Sequence, residues 1–521
     1  MARTRGLGRG LVLFLWPGVR RRMSVMTSRA KTWIVVSIML AMMLTALDMT
    51  IVGTAMPSIV SDLHGVSIYS WVFSAYLLTS TTPIPIYGKL ADMLGRKRVF
   101  MVGTGLFMIG SALAGVSQSM PELILFRALQ GLGAAGVLPV ALTIVGDIFT
   151  LEQRGRVQGL FSGVWALSAV IGPLTGAAIV EHVSWRWVFY INVPLGILVM
   201  LILWLAFHEQ VESHGHAIDY PGTVILTAGV TLVLLGLLDT GTTREILLGI
   251  ALVTLVGFVF WEQHFSEPVL PLSIFRHRMI LLGNIMNFFG GIIMFGLISY
   301  MPLFVQGVQG QSPTVSGQAI TPMMIGWPLA ALSIGSLIKK VGYRVLGILG
   351  GTLVMLGTAW LGLVGDRTTL VLVGSMLAIG AGLGFSLTSL LIGVQNAVPW
   401  NLRGVVTGST QFFRNIGGAI GVAILAAVFN EGLSRAISRA PRLHGLNTAS
   451  VTETLLVPRL RDRLAPTLHQ LLLSTLNHGL AAVFLTIFGI GVLAFVTMLA
   501  LPAKPRAWDQ EAETAPTEEV G

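Results

Sequence analysis

Long apolar runs, separated by short segments that carry charge, recur along almost the whole chain. A membrane-spanning helix needs about 20 mostly apolar residues. Fourteen runs approach or exceed that length, and they fall at 33–57, 69–87, 99–118, 121–149, 158–181, 186–207, 219–239, 246–262, 279–306, 317–338, 345–364, 369–396, 404–430 and 478–501. Only 11% of the residues are charged, whereas soluble domains carry about 25%. The sequence therefore predicts an all-α polytopic membrane protein.

The basic residues of the short connections are distributed unevenly between the two sides of this predicted bundle. One side carries Lys89, Arg96, Lys97, Arg98, Arg154, Arg156, Arg276, Arg278, Lys339, Lys340, Arg344 and Arg403. The short connections of the other side carry little beyond Arg186, Arg244 and Arg367. Because short loops rich in Lys and Arg stay inside, both termini are predicted to be cytoplasmic. The net charge of +10 then reflects membrane topology, and no nucleic-acid partner is predicted.

The runs also predict how the chain is divided. The predicted parts are a basic cytoplasmic tail at 1–32, a six-helix bundle at 33–207, two linker helices with flanking loops at 208–278, a second six-helix bundle at 279–501 and an acidic cytoplasmic tail at 502–521. Within the second bundle, 431–477 is predicted to be an extracellular loop, since long loops cross the membrane regardless of charge.

The segment Gly88–Arg98 is predicted to be a tight loop between two membrane helices. Gly88 and Gly95 permit a sharp reversal, and Asp92 can accept hydrogen bonds from a helix N-terminus or pair with the arginines. The segment 335–344 follows the tenth run in the same way but has no equivalent of Asp92. Such a repeat fits two bundles with a substrate site between them at mid-membrane depth.

Three ionisable residues stand out inside the predicted spans, where charge is costly and is by default a functional hypothesis. Asp48 is in the first run, Arg127 in the fourth and Arg414 in the thirteenth. The helical rise places Asp48 and Arg127 at similar depths, so a salt bridge between them is predicted. The alternative is a purely structural pair that holds the two helices together.

Arg414 is predicted to face a central cavity. An arginine near the bilayer centre costs at least about 2.5–3.5 kcal/mol unless it reaches water or a partner. The partners considered are cavity water, a helix-end carbonyl and Asp48. Aromatic, methionine and amide side chains that suit amphipathic ligands are candidates to line the same cavity, namely Gln130, Trp165, Asn284, Asn287, Phe288, Tyr300, Met323, Trp327 and Gln411. Core or lipid-facing packing is the alternative for each of them.

Several function classes are excluded or disfavoured. The chain has no cysteine, so disulfides, zinc–thiolate sites and iron–sulfur clusters are excluded. It has no Walker P-loop and no soluble catalytic motif, which argues against ATP-driven transport and against an enzyme. Gly131–Gly136 matches a dinucleotide fingerprint, but it lies in the middle of an apolar run, where small residues serve close helix packing.

Taken together, several motifs resemble those of the major facilitator superfamily. Gly88–Arg98 resembles its loop between helices 2 and 3. Leu47–Val52 and Arg127–Gly133 resemble the helix 1 and helix 4 motifs of its drug:proton antiporters. Ser168–Ala177 is similar to the helix 5 antiporter motif, with Ser and Ala replacing its outer glycines. Other segments look like markers of the fourteen-helix branch, namely Trp185–Pro194, Asp219–Gly222 and Arg414–Ala419.

The resemblance implies a proton-coupled multidrug efflux antiporter that exports amphipathic or hydrophobic compounds by alternating access. It implies a major facilitator fold of two six-helix bundles plus two inserted helices. The proton is the coupling ion, and no cofactor or metal is expected. The implied roles are proton coupling for Asp48 and Arg127, a conformational gate for Gly88, Asp92, Gly95, Arg96 and Asp147, and the helix 5 motif for Gly172, Pro173 and Gly176. The resemblance also implies that Asp92 contacts the N-terminus of the helix that begins near 402–404 in the outward-open state.

The resemblance also implies a monomer in the plasma (inner) membrane, in contact with lipid and with small amphipathic substrates. An envelope adaptor protein as a partner is left open. Two alternatives remain at this stage. One is a dedicated exporter of one lipid, siderophore, antibiotic or peptide, and the other is a scaffold or sensor that transports nothing. The pairing of Asp48 with Arg127 argues against the scaffold, which gains little from buried charge.

Overall fold

The computed structural model describes residues 27–63, 71–209, 219–238, 241–265, 268, 270–311, 313–363, 368–439, 455 and 465–502. The regular structure of these residues is entirely helical. A helix satisfies its own backbone N–H and C=O groups, as a segment in lipid must. Ten helices of this part of the chain are long and apolar enough to cross a membrane. The all-α polytopic class is confirmed.

The N-terminal half of the described chain contains α1 Ser28–Leu63, α2 Trp71–Thr81, α3 Ile84–Leu94, α4 Arg96–Val116, α5 Met120–Ile148, α6 Leu151–His182, α7 Trp187–Tyr190 and α8 Asn192–Ala206. The run 69–87 is split between α2 and α3, because Pro83 and Pro85 have no N–H to continue the helix. The helix α1 packs against α6 and α8, and α5 packs against α2 and α4.

Two helices, α9 Tyr220–Leu238 and α10 Thr242–His264, follow this half and pack mainly against each other. Asp219 joins them, because its carboxylate accepts hydrogen bonds from Gly222 N at 2.8 Å and from Trp261 Nε1 at 3.0 Å. The side chains of Val253 and Phe260 on α10 are exposed. Such an apolar surface suits lipid, which agrees with a peripheral pair.

The C-terminal half contains α11 Arg278–Gly307, α12 Pro313–Leu363, α13 Thr369–Ala397, α14 Arg403–Ser438 and α15 Pro466–Leu499. The helix α12 covers two of the predicted runs and is interrupted at Gly342, whose φ of 79° is a left-handed conformation that favours glycine. In this half α11 packs against α14, α12 against α13, and α15 against all of them except α13.

The segment Gly88–Arg98 is not the loop that the sequence predicts. The helix α3 continues to Leu94 and α4 begins at Arg96, so the connection is Gly95 alone, with a φ of 95°. Gly95 therefore makes the predicted reversal, whereas Gly88 is helical. The charged side chains do not require a loop, because they lie at helix ends where they reach water or partners.

Two further boundaries differ from the prediction. The helix α14 continues to Ser438 and α15 begins at Pro466, so both ends of the predicted loop 431–477 are helical. An exposed pair, Glu431 and Arg435, supports the extension at 2.6 Å with the i,i+4 spacing that stabilises helices. Residues 440–454 and 456–464 of that loop, the tail before 27 and the tail after 502 lie outside the described residues.

Candidate functional site

Asp48 lies inside α1 and is held by three polar side chains from two other helices. Arg127 Nη1 donates a hydrogen bond to Asp48 Oδ2, so the predicted salt bridge is present. Gln130 Nε2 and Asn192 Nδ2 both donate to Asp48 Oδ1, at 2.8 and 3.2 Å. Asp48 and Arg127 are each 1% exposed. The carboxylate is therefore completely enclosed, with its charge balanced by one arginine.

Arg127 has other partners besides this carboxylate. Its Nη1 also donates to Gln130 Oε1 at 2.7 Å, and its guanidinium lies 4.2 Å from the centroid of the Tyr76 ring. A cation above an aromatic face is stabilised by the ring quadrupole. Gln130 and Tyr76 would therefore still hold the arginine if Asp48 lost its charge.

Close helix packing brings this cluster together. A β-carbon at Gly110 of α4 would lie 2.5 Å from Gln130 N of α5. Gly131 and Gly133 make similar close approaches to α2 and α4. The glycine-rich run 131–136 therefore serves helix packing, as the sequence predicts.

Sequence reasoning missed Asn192 and Ser111 as members of the cluster. Asn192 Nδ2 also donates to Ser111 Oγ at 3.0 Å, and Ser111 Oγ donates to Phe189 O at 2.8 Å. Both side chains are buried. The sequence signal that could have identified Asn192 is an amide side chain inside an apolar run. Its segment, Trp185–Pro194, served only as a marker of the fourteen-helix branch.

A second polar cluster lies at the end of the molecule where Gly95, Gly342 and residues 398–402 connect helices, here called the basic end. Asp92 accepts hydrogen bonds from Gly404 N at 3.1 Å and from Val405 N at 3.0 Å. These are N–H groups of the first turn of α14, which have no partner within the helix. A carboxylate is also favoured at the positive end of the helix dipole. The expected contact between Asp92 and this helix is present.

Arg96 extends the cluster from Asp92 to Asp147. Its Nη2 lies 2.6 Å from Asp92 Oδ1, and its Nε lies 3.1 Å from Asp147 Oδ2. Asp147 Oδ1 is in turn 3.1 Å from Nη1 of Arg403, at the start of α14. The Arg96 guanidinium also lies 3.5 Å from the centroid of the Trp400 ring. Charges from α3, α4 and α5 are thereby tied to the C-terminal half.

Further hydrogen bonds join the two halves, through residues that the sequence did not predict as part of a site. Arg154 Nη1 donates to Asn396 Oδ1 at 2.8 Å, and Asn396 Nδ2 donates to Tyr343 Oη at 2.9 Å. Gln395 Nε2 donates to Leu142 O at 3.3 Å. From the sequence, Arg154 and Arg403 were used only to predict membrane topology, because their neighbouring residues do not indicate which distant helix they contact.

The halves approach each other along two seams at the basic end. In the charged seam, α3 lies on α14 beside the Asp92 cluster, and a β-carbon at Gly88 would lie 2.5 Å from Gly404 O. In the glycine seam, α6 lies on α12, and β-carbons at Gly155 and Gly159 would lie 2.5 Å from Gly335 N and Leu332 Cγ. The structure is closed at this end.

The charged seam should open when Gly88 is replaced by Ala. The added methyl group meets backbone of α14, which cannot give way as a flexible side chain can. Gly105→Ala is the matched control, because a β-carbon there meets nothing within 4 Å. Distances between spin labels across the basic end should lengthen only for Gly88→Ala. Equal distances in both variants would contradict the close approach.

The helix 5 motif lies against α1. Gly172 and Gly176 are buried in α6, and Gly172 contacts Thr50, whose Oγ1 also donates to Ser168 O at 3.4 Å. The helix α6 runs unbroken through Pro173, whose side chain lies outside the described part of the structure. The motif therefore places α6 close to the turn of α1 that follows Asp48.

The predicted cavity residues are spread over five of the described helices, α5, α6, α11, α12 and α14. Gln130 belongs to the Asp48 cluster, and Trp165 is 38% exposed on α6. Within the C-terminal half, Tyr300 packs against Phe429 with ring centroids 5.9 Å apart, and Met323 is buried against α13. Tyr300 and Met323 are therefore packed in the core, which was the alternative to lining a cavity.

The remaining candidates are on α11, α12 and α14. Asn284 and Asn287 are buried and donate to carbonyls of their own helix, each at 2.9 Å. The backbones of Phe288 and Trp327 face Gly417 and Gly384 at helix crossings. Residue type alone predicted these positions, and it cannot tell a cavity-facing helix surface from one that faces a neighbouring helix.

Arg414 does not pair with Asp48. It donates a hydrogen bond from Nη2 to Gln411 Oε1, one turn earlier on α14, and its Nε is buried without a partner. Asp48 is engaged by Arg127, Gln130 and Asn192 instead. Of the three partners left open for Arg414, Asp48 is not the one found among the described residues.

The chain matches known proteins over most of its length. Residues 38–422 match the family model of the Major Facilitator Superfamily. The chain is 41% identical over 409 residues to the multidrug transporter protein MdtP of Bacillus subtilis, covering 77% of this chain and 75% of the relative. It is 35% identical over 404 residues to multidrug resistance protein 3 of the same organism, covering 76% and 79%.

Solved structures share the architecture. The human organic anion transporter MFSD10 aligns with a TM-score of 0.61 at 14% identity, covering 90% of this chain and 99% of its own. The proton:xylose symporter XylE aligns with a TM-score of 0.57 at 14% identity, covering 93% and 99%. Such low identity bears on the fold alone. By its family match and its relatives, the chain belongs to the major facilitator superfamily of membrane transporters, and within it to the multidrug efflux type.

Proposed function

We propose that this transporter is a proton-coupled antiporter, in which proton entry drives export of amphipathic or hydrophobic compounds. The observation that carries the proposal is the enclosed carboxylate of Asp48, whose charge is balanced, among the described residues, by Arg127 and which is otherwise bonded to neutral amides. A buried ion pair whose acid becomes protonated loses its electrostatic attraction. Ionisable groups inside membrane spans serve proton relays elsewhere.

Protonation of Asp48 would loosen α1 from α5 without freeing Arg127. The guanidinium keeps Gln130 and the Tyr76 ring as partners, so the change is confined to the side of Asp48. That side also faces Asn192 of α8. A proton on Asp48 can therefore shift α1 relative to α5 and α8, which is the kind of two-state element that alternating access requires.

The basic end would form the inner gate in this proposal. The excess of Lys and Arg supports a cytoplasmic position for this end, with both termini on that side and the protein in the plasma membrane as a monomer. Asp92, Arg96, Asp147 and Gly95 would hold this gate closed through their contacts and the turn at Gly95. Two six-helix bundles, with α9 and α10 inserted between them, complete a fourteen-span arrangement.

The test is transport by purified protein in liposomes with an acidic interior. We expect outward proton flow to drive uptake of ethidium and of the neutral 1-pyrenebutanol, above uptake by protein-free liposomes. Ethidium carries a permanent charge, so it does not distribute with pH by itself. Uptake of a single compound class would favour a dedicated exporter. No proton-driven uptake of any probe would overturn the proposal and favour a scaffold or sensor.

A further inference from the structure

One half-buried cation of the C-terminal half, Arg414, has no counter-ion among the described residues. Within the described residues, Arg414 has a single hydrogen-bond partner, the neutral amide of Gln411, and its buried Nε has none. A guanidinium has five N–H donors and does not lose its charge in proteins. Burying such a group without compensation is costly. Arg414 is therefore left with donors and charge that the protein does not satisfy.

Other buried or partly buried arginines of the described chain have more partners. Arg96, Arg127 and Arg403 each pair with a carboxylate, although the Nε of Arg96 also makes no hydrogen bond. Arg154 has no such pair, but it donates to Asn396 Oδ1 and to the carbonyls of Gly146 and Phe149. Arg414 differs from all of them in having one neutral partner only.

The described helices of the same half offer no acid near Arg414. The helices α11, α12, α13 and α15 contain no Asp or Glu, and α14 contains only Glu431. Glu431 is about 25 Å further along α14, at about 1.5 Å per residue. It pairs with Arg435 at 2.6 Å. The charge of Asp48 is balanced by Arg127, so Arg414 leaves the middle of the bundle with a net positive charge.

The position of Arg414 suits a ligand that sits between helices. It lies about 16 Å from the start of α14 at about 1.5 Å per residue, close to mid-membrane depth. Its backbone carbonyl packs against Gly291 of α11, which fixes where the side chain begins. The amide of Gln411 is bonded to Arg414 through Oε1, so its nitrogen is a further donor beside the guanidinium.

We propose that Arg414, with Gln411 beside it, binds the carboxylate of an amphipathic organic acid during transport. A guanidinium matches a carboxylate in a planar two-bond geometry. The ligand would supply the counter-ion that the protein lacks, and its apolar body would lie among the surrounding helices. This inference rests on the proposed export function and adds a substrate class to it.

A set of probes with one apolar body and different charge tests the inference. The probes are 1-pyrenebutyrate, 1-pyrenebutanol and 1-pyrenebutyl-trimethylammonium, with binding to the whole protein in phosphatidylcholine nanodiscs read by fluorescence anisotropy. We expect wild-type protein to bind the carboxylate at least about tenfold more tightly than the alcohol, since a hydrogen bond to a charged group contributes at least that much. Equal affinities for the three probes would overturn the proposal without any variant.

Substitutions then assign the preference to Arg414. Arg414→Gln should bring the ratio of the two affinities close to one, mainly by weakening the binding of 1-pyrenebutyrate. Arg414→Lys should keep part of the preference, because lysine retains the charge but not the planar fork. The control is Arg435→Gln on the same helix, which removes an exposed arginine already paired with Glu431. Loss of the preference in this control would assign it to general surface charge and overturn the proposal.

Anionic lipid is the other source of a similar group. Nanodiscs with about one third phosphatidylglycerol should leave the preference for 1-pyrenebutyrate intact, and competition by this lipid would reassign Arg414 to a lipid phosphate.

Failure of this inference can be distinguished from failure of the proposed export function. Proton-driven uptake of ethidium without any preference for the carboxylate would reject only the role of Arg414, whereas absence of uptake would reject the export function itself.

Discussion

Asp48→Asn is expected to abolish proton-driven uptake, to the level of protein-free liposomes, while the protein still folds and inserts. The amide keeps the size of the side chain and can still accept hydrogen bonds from Gln130 or Asn192. It cannot take up and release a proton near neutral pH, so no conformational step can depend on protonation of residue 48. Uptake by the variant should also be independent of the pH gradient, measured with ethidium across a series of external pH values.

Asp62→Asn is the matched control on the same helix. Asp62 is also a carboxylate paired with an arginine, Arg186 at 2.7 Å, but its side chain is 52% exposed. An exposed ion pair contributes little to stability, so uptake should stay near the wild-type level. Size-exclusion profiles and melting temperatures of both variants check that folding is intact. Wild-type uptake by Asp48→Asn with unchanged pH dependence would contradict the role of Asp48.

Asp92→Asn is expected to shift the protein toward the state that is open at the basic end. The substitution removes the charge that caps α14 and pairs with Arg96. Loss of a helix cap costs about 0.5–2 kcal/mol. Loss of one partner of a buried pair costs about 3–5 kcal/mol, so the equilibrium should move by more than about tenfold. Arg96 would keep Asp147 and the Trp400 ring, which limits the change to the charged seam.

Spin-label distances across the basic end measure this shift. The natural chain has no cysteine, so labels at Leu94 and Lys340, both exposed, can be attached without removing native thiols. Glu122→Gln is the control, because that carboxylate also accepts a backbone N–H, from Gln118 at 2.8 Å, but at the opposite end of α5. An unchanged distance distribution in Asp92→Asn would remove Asp92 from the gate.

Contacts fixed by depth or by a helix terminus could be predicted from the sequence. The pair Asp48–Arg127 follows from helical rise, which sets depth without any knowledge of rotation about the helix axis. The contact of Asp92 with α14 followed from the resemblance and agrees with the preference of a carboxylate for a helix N-terminus. Both contacts could be predicted because depth and helix termini can be read from one segment of the sequence at a time.

Contacts that depend on the rotation of helices could not be predicted. Asn192 reaches Asp48, and Arg154 reaches Asn396, only because α8 and α13 present particular faces to their neighbours. In a membrane, the helix face that contacts lipid is as apolar as the face that packs against other helices. Hydropathy therefore does not distinguish the two faces. The same ambiguity explains why Tyr300 and Met323 were placed in a cavity and are found in packing contacts.

The two seams at the basic end respond to different physical conditions. The charged seam is held by ion pairs and by the dipole of α14, whereas the glycine seam joins Gly155 and Gly159 to Gly335 and Leu332 without a charged group among those four. Burial of apolar surface away from water weakens on cooling. Low temperature should therefore loosen the glycine seam first, so cold and protons would act on different seams of the same gate.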